Sequence, residues 1–583
     1  ETGNDEDLDI KKTLRNNLLK SLNGEKIYLH FYILNSKITN TNENYYEHNS
    51  FAAYLNNKWH KKQSNGNQYQ KEIYIAVKYH FEKSDNIIDR INDILSNSNI
   101  YKQIQETSKS LKEIMKRLIN SLRDYDPKTL KIVKKNETYY CAMLEFLAKI
   151  NNLKQNTKII LPKTNINKHI CQSRITFKKD YMIHKNTKEK YSSILALNSH
   201  SSSTSSSILD NLLYLNFEFI LHQTFSFTNK NNILHKMEIH QNQMIQTKDK
   251  SISQIYEISD ALDMATSGKI AFGYHSLQLI CSANNLKALE EYTSIAFTEM
   301  INSGLTPVRE QINMEMSYFS LFPGNEEYIM RKTLINTLNL AGYASLHNFP
   351  VGEKYNNHWG SYTSLLETTA DSPYYFNFHA KGSDVGHTLI IGPTGAGKTV
   401  IMNFLATQLQ KFKPKMFFFD KDHGAEIFIR SINGIYNTIQ TASDCGFNPL
   451  QLQENEINKA FLFEWLSALV TSNNEVLSAK DRQLIYQAIE GNYKLQKTDR
   501  QLKNIAPFLG IPLNNNIASR LQIWYGTGAK ANIFDNAKDT IDFTISKIFG
   551  FEMSNVLRDK VALSPILLYI FHKIQISLNG YPT

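Results

Sequence analysis

Hydrophobic positions over the first 340 residues switch between two periods. Ile27, Leu29, Phe31 and Ile33 alternate with more polar or amphipathic partners, as do Ile73, Ile75, Val77 and Tyr79, so both stretches are predicted as half-buried strands. Over 102–123, Ile104, Leu111, Ile114, Leu118 and Leu122 recur at helical spacing on one face, and Asp126-Pro127 marks the stop. Tyr274, Leu277, Leu279 and Cys281 predict a further strand. It runs into a helix with Leu286, Leu289, Tyr292, Ala296 and Met300 inward and Gly304 as C-terminal cap. This is the pattern of a mixed α/β domain.

Further along, His387–Ile391 is a short apolar run suited to a buried parallel strand. Ile401, Leu405, Leu409 and Phe412 predict a helix from Thr399 onward, and Met416–Asp420 a second strand. Two local compositions interrupt these patterns. Ser199–Ser207 is nearly all serine and predicts a flexible loop, since so polar a run has little to bury. Residues 151–190 hold nine lysines and Arg174 against Asp180 and Glu189, a local charge of +8. Such a segment is either a solvated face or a surface for anionic lipid or nucleic acid. The clustered aromatics of a single-strand groove are missing.

The chain has 583 residues, about three or four domains' worth. With 42% hydrophobic and 21% charged residues, disordered, collagen-like and disulfide-scaffold proteins are excluded. A net charge of +10 is modest for this size and does not by itself point to nucleic acid. Cys141, Cys171, Cys281 and Cys445 are widely spaced, which argues against a zinc site and fits a reducing compartment. The densest apolar run, Pro565–Phe571, falls short of the ~18 residues that span a membrane, so no transmembrane segment is expected. Glu1–Asp9 is acidic, starts without Met and has no signal-peptide pattern, so the sequence is expected to begin inside a longer protein.

Glycine is sparse, which makes one cluster informative. Gly392-Pro393-Thr394-Gly395-Ala396-Gly397-Lys398-Thr399 fits G-x-x-x-x-G-K-[ST], between a predicted strand and a predicted helix. Gly395 and Gly397 let successive N–H groups turn toward a polyphosphate, and the helix N-terminus adds its partial positive charge. Lys398 would reach the β/γ-phosphates and the Thr399 hydroxyl would take a place on Mg²⁺, so ATP with Mg²⁺ is the expected ligand. Hydrolysis also needs carboxylates, usually at the end of an apolar strand. Asp420, at the end of Met416–Asp420 and followed by Lys421, Asp422 and Glu426, is the candidate, either on the metal or as a strand-end support.

These residues carry a resemblance. His387–Thr399, Phe418–Glu426, Gly446-Phe-Asn-Pro-Leu450 and Phe534-Asp-Asn536 are similar to the conjugation and type IV secretion ATPases of the TrbE/CagE family, which includes the largest ATPase of the VirB operon. Upstream, Phe322–Asn325, Ser345–Pro350, His358-Trp-Gly360 and Tyr374–His379 resemble its linker signatures, and weaker similarity extends to the N-terminus. The resemblance implies an N-terminal α/β domain over 1–310, a linker over 311–384 and a P-loop, RecA-like NTPase domain over 385–583. It also implies an ATPase motor, hexameric in the family, peripheral at the cytoplasmic face of the bacterial inner membrane and partnered by other secretion-channel components. His423 stands where the family more often has Arg.

The chain stops at Gly580–Thr583, about where the family's strand ending in Asp-Glu would begin. The NTPase domain is therefore expected to be truncated at its C-terminal end, with an exposed sheet edge that favours aggregation. Two other readings stay open at this level: a DNA translocase of the same motor clan, and a nucleotide-gated scaffold that does not hydrolyse.

Overall fold

The computed structural model describes residues 5–24, 26–38, 46–47, 50–65, 68–79, 97–153, 158–201, 203–247, 252–440, 442–471, 476–513 and 516–578. The chain divides into two compact units. One comprises Glu1–Thr41, Lys61–Lys354 and Leu365–Phe376, the other Asn42–His60, Tyr355–Ser364 and Asn377–Thr583.

The first unit is organised by an antiparallel sheet. Its strands are β1 (Ile27–Lys37) and β2 (Tyr69–Tyr79). A separate hairpin follows, β3 (Ile132–Lys135) with β4 (Thr138–Cys141). The sheet resumes with β5 (Arg174–Phe177), β6 (Met182–Lys185), β7 (Glu189–Ser199), β8 (Phe219–Phe227), β9 (Phe272–Ala283), β10 (Thr306–Arg309) and β11 (Thr333–Asn336). The order is β2-β1-β8-β9-β7-β6-β5, with β10 on β7 and β11 on β9. Alternation explains why β1, an interior strand between β2 and β8, feeds both faces of the sheet. Leu29 and Phe31 enter one core with Leu221 and Leu279, while Tyr32 and Leu34 enter the other with Ile220 and Ile280. Each such burial stabilises by about 1.5–3 kcal/mol.

The predicted helices form, with their faces only partly covered. In Asn97–Ser121 and just beyond it, Ile114, Leu118 and Leu122 are buried, but Ile104 is exposed. In Leu286–Asn302, Leu289, Ala296 and Met300 are buried and Leu286 is exposed. Gly304 ends that helix at φ 74°, its N–H donating to the Ile301 carbonyl and that of Leu305 to Met300, a Schellman arrangement.

The serine run departs from expectation. Ser206 is buried, donating to the Leu8 carbonyl and accepting from Arg15, and Thr204 donates to Asn339. Hydroxyls join a core when each finds a partner, which composition alone does not reveal; Ser202 lies outside the described residues. In the basic segment part of the charge is paired, Lys158 with Glu145 and Lys190 with Glu218. Lys154 also lies outside the described residues.

Two short pairs, Tyr355–Asn357 (β12) with Gly360–Ser361 (β13) and Ser364–Glu367 (β14) with Pro373–Phe376 (β15), precede the second unit's main sheet. That sheet is parallel: Met416–Asp420 (β16), Ile435–Thr438 (β17) and Ile548–Glu552 (β18) in the order β16-β18-β17. Its core collects Trp465, Leu466, Ile485, Ile489, Trp524, Phe534 and Tyr569, drawn largely from helices Glu456–Val470, Ala479–Lys494 and Lys560–Leu578.

One expectation fails here. Residues 387–391 do not form a strand, and Leu389 and Ile391 are 81% and 83% exposed. An apolar run becomes a strand only by pairing its amides, and β16 borders β18 alone among the described strands. Helix Lys560–Leu578, by length and composition, is long and apolar enough to cross a membrane, which the short run within it did not suggest. Its Ala562, Ile566, Tyr569 and Ile570 nevertheless pack in the core of this unit.

Candidate nucleotide site

The glycine loop folds as its residue types require. Gly395 and Gly397 take φ of 82° and 85°, a region costly for residues with a Cβ, and a Cβ on either would meet only open space. Gly397 caps helix Lys398–Leu409, and its carbonyl accepts the Ile401 N–H at 2.9 Å. The Ala396 N–H donates back to the Pro393 carbonyl at 3.2 Å. Lys398 Nζ donates to the carbonyls of Gly392 and Pro393, at 2.8 and 2.9 Å, so the ammonium is held over the loop itself. Thr399 is exposed beside it.

Asp420 is buried at the C-terminal end of β16. Its Oδ1 accepts the Lys421 N–H at 2.9 Å, and Oδ2 accepts the Ala425 N–H and the Tyr436 hydroxyl, both at 2.7 Å. Gly424 lies between this carboxylate and the glycine loop: a Cβ there would be 3.5 Å from both Asp420 Oδ1 and Thr399 Cγ2. The structure thus brings Thr399 and Asp420 to one place. With both oxygens engaged by its own loop, Asp420 shapes the turn 420–425.

The sequence reading missed Glu552. It ends β18 directly opposite Asp420 and is 1% exposed. Oε1 accepts N–H groups of Asp422 and Ser554, at 3.2 and 2.8 Å; Oε2 accepts the His423 N–H at 2.8 Å and contacts the Tyr436 hydroxyl at 3.0 Å. Burial pushes its pKa up, but hydrogen bonds from Ser554, His423 and Tyr436 outweigh this and hold it at about 2. Tyr436 moves the other way, raised by burial and by the two carboxylates. The available signal was Ile548-Phe-Gly-Phe-Glu552, an apolar run ending in a single acid.

Asp422 and His423 both have positive φ, 61° and 57°, and Glu552 is the anion their N–H groups surround. That turn presents His423, whose Nδ1 lies 2.9 Å from Glu426 Oε2; Arg430 pairs with the other Glu426 oxygen at 2.9 Å. The other family-like segments also meet. Asn448, fully buried, donates to the Asn536 and Arg500 carbonyls, and Asn536 donates back to the Phe447 carbonyl. The His358 ring stacks on His379 at 4.0 Å.

An α/β unit followed by a P-loop unit with acidic strand ends at the loop defines a P-loop NTPase architecture. Family models agree: the VirB4/TrbE N-terminal domain of type IV secretion system ATPases matches residues 1–86. The CagE, TrbE, VirB family, component of type IV transporter systems, matches 128–331, and the TraG P-loop domain 379–509. The type IV secretion system protein virB4 of Bartonella henselae is 32% identical over 97% of this chain and 72% of its own length, and that of Bartonella quintana is equally similar. That of Brucella suis is 26% identical over 100% of this chain and 74% of its own length. A solved VirB4 structure from Thermoanaerobacter pseudethanolicus aligns with 39% of this chain and 66% of that chain at 13% identity and TM-score 0.32, too slight to bear on the fold. The chain belongs to the VirB4 family of type IV secretion system proteins.

Proposed function

We propose that the chain binds ATP with Mg²⁺ at Gly392–Thr399 and serves as the ATPase motor of a type IV secretion system. The reading further places it as a hexamer at the cytoplasmic face of the bacterial inner membrane, working with other channel components. The carrying observation is the loop with two glycines at positive φ, a lysine and a threonine at the start of a twelve-residue helix, with two strand-end acids nearby.

The residues suit the ligand chemically. Gly395, Ala396, Gly397 and Lys398 supply N–H groups at a helix N-terminus, where a polyphosphate is favoured. The Lys398 ammonium rests on two carbonyls and would exchange them for stronger charge-assisted bonds to phosphate oxygens. Thr399 offers a hydroxyl for Mg²⁺, which when bound would neutralise charge on the phosphates. Asp420, beside Thr399, would reach such a metal through water, while Glu552 holds the turn that carries His423.

Lys398→Ala tests the reading. Nucleotide affinity in the folded variant should fall roughly 10- to 150-fold, the value of hydrogen bonds to a charged group. Unchanged affinity would refute the site.

A further inference from the structure

The hairpin β3–β4 turns through Asn136 and Glu137, both at positive φ, and gains a third member from 159–161. Tyr140 pairs with Ile160, Cys141 N–H donates to the Ile159 carbonyl, and Leu161 N–H to that of Tyr139. One face is covered at one end: Cys141 and Ile159 are buried with Leu144 and Ala148 of helix Ala142–Asn152, while Ile132, Tyr139 and Leu161 on that face are exposed. The other face is open, and alternation should make it polar. Register shows otherwise. Val133 pairs with Tyr140, and Tyr140 with Ile160, so these three form one row across the outer face; Val133 is 55% and Ile160 57% exposed.

Two residues along each strand, on the same face, stand Lys131, Lys135 and Lys158, all exposed. Residues 128–162 contain seven lysines and two glutamates. Of the glutamates, Glu137 is in the turn and Glu145 is paired with Lys158. An apolar row edged by ammonium groups is therefore little compensated by negative charge.

We propose that this face docks on an anionic lipid surface. The assignment rests on the membrane-side placement proposed above and names the surface that makes the contact. Charge complementarity selects the partner. Lysine is depleted from protein–protein contacts, and nucleic-acid strands call for stacked aromatics, of which this row has only Tyr140. A bilayer interface rewards both parts at once. Val133, Tyr140 and Ile160 enter the headgroup boundary, while lysine stems lie along it with their ammonium groups on lipid phosphates.

Co-sedimentation of the whole chain with phosphatidylcholine vesicles, with and without phosphatidylglycerol, tests this. Binding is expected to the anionic vesicles, weakening with salt. The pair Lys131→Gln with Lys135→Gln should bind roughly thirtyfold more weakly. The pair Val133→Ser with Ile160→Ser should also lose binding, and all four positions are exposed, so folding should persist. Absence of binding by the unaltered chain, or binding by either variant equal to that of the unaltered chain, would overturn the proposal. Lys398→Ala should leave vesicle binding intact, and the face variants should leave nucleotide affinity intact, so the two readings fail separately.

Discussion

Asp420 and Glu552 stand opposite each other on adjacent parallel strands and share one hydroxyl: Tyr436 lies 2.7 Å from one carboxylate and 3.0 Å from the other. A phenol has a single proton, so with both acids ionised it satisfies one at a time. Apart from the Ser554 N–H, the remaining donors are backbone amides of the turn beside the glycine loop, so the acids set the shape of that turn.

Tyr436→Phe removes the shared donor while keeping the ring. Asp420 Oδ2 keeps the Ala425 N–H and Glu552 Oε2 keeps the His423 N–H, so what is lost is a hydrogen bond to a charged group, about 1.5–3 kcal/mol. Chemical denaturation should show a loss of that size, together with weaker Mg²⁺-dependent nucleotide binding if the turn supports the site. A stability change with identical nucleotide affinity would restrict the trio to scaffolding.

Glu552 also makes the second unit sensitive to acid. Its folded pKa, about 2, lies below the usual 4.5, so its contribution is complete above about pH 4.5 and is lost as pH falls toward 2. Glu552→Gln should flatten the pH dependence of unfolding in that window; an unchanged slope would count against this balance of burial and hydrogen bonds.

The first unit carries a different titration. His222 is buried, with its ring nitrogens 3.1 Å from His30 and from Gln278, and burial drives its pKa well below the usual 6.5. His275 behaves alike, and His184 and His200 are lowered to about 4, again chiefly by burial. The unfolded chain binds these protons first, so stability is full above pH 6.5 and declines below it, by up to about 1.4 kcal/mol per pH unit per histidine. Urea midpoints at pH 7.5 and 5 should differ accordingly, and His222→Gln should reduce the difference.

Gly446 tests the brace between Gly446–Leu450 and Phe534–Asn536. It has φ 69°, and a Cβ there would come within 2.1 Å of Thr540 Oγ1. Strain and overpacking together predict a loss of about 2–5 kcal/mol for Gly446→Ala. A thermal midpoint within a degree of the unaltered chain would show that the turn relaxes freely.

What the sequence determined by itself is local. Period-two alternation located β1, β2 and β9, helical spacing located Leu286–Asn302, and Gly392–Thr399 set the shape of its own loop, because a glycine's permitted φ belongs to the residue. Pairing is not local. Whether His387–Ile391 becomes a strand depends on a neighbour to bond with, and whether Ser206 is buried depends on Arg15 and Leu8, nearly two hundred positions away. Only the tertiary structure placed Glu552 across from Asp420, since that meeting depends on the register of two strands far apart in the chain. It also set Val133, Tyr140 and Ile160 in one exposed row, because a sheet face is defined by which residues pair, and no single segment contains that information.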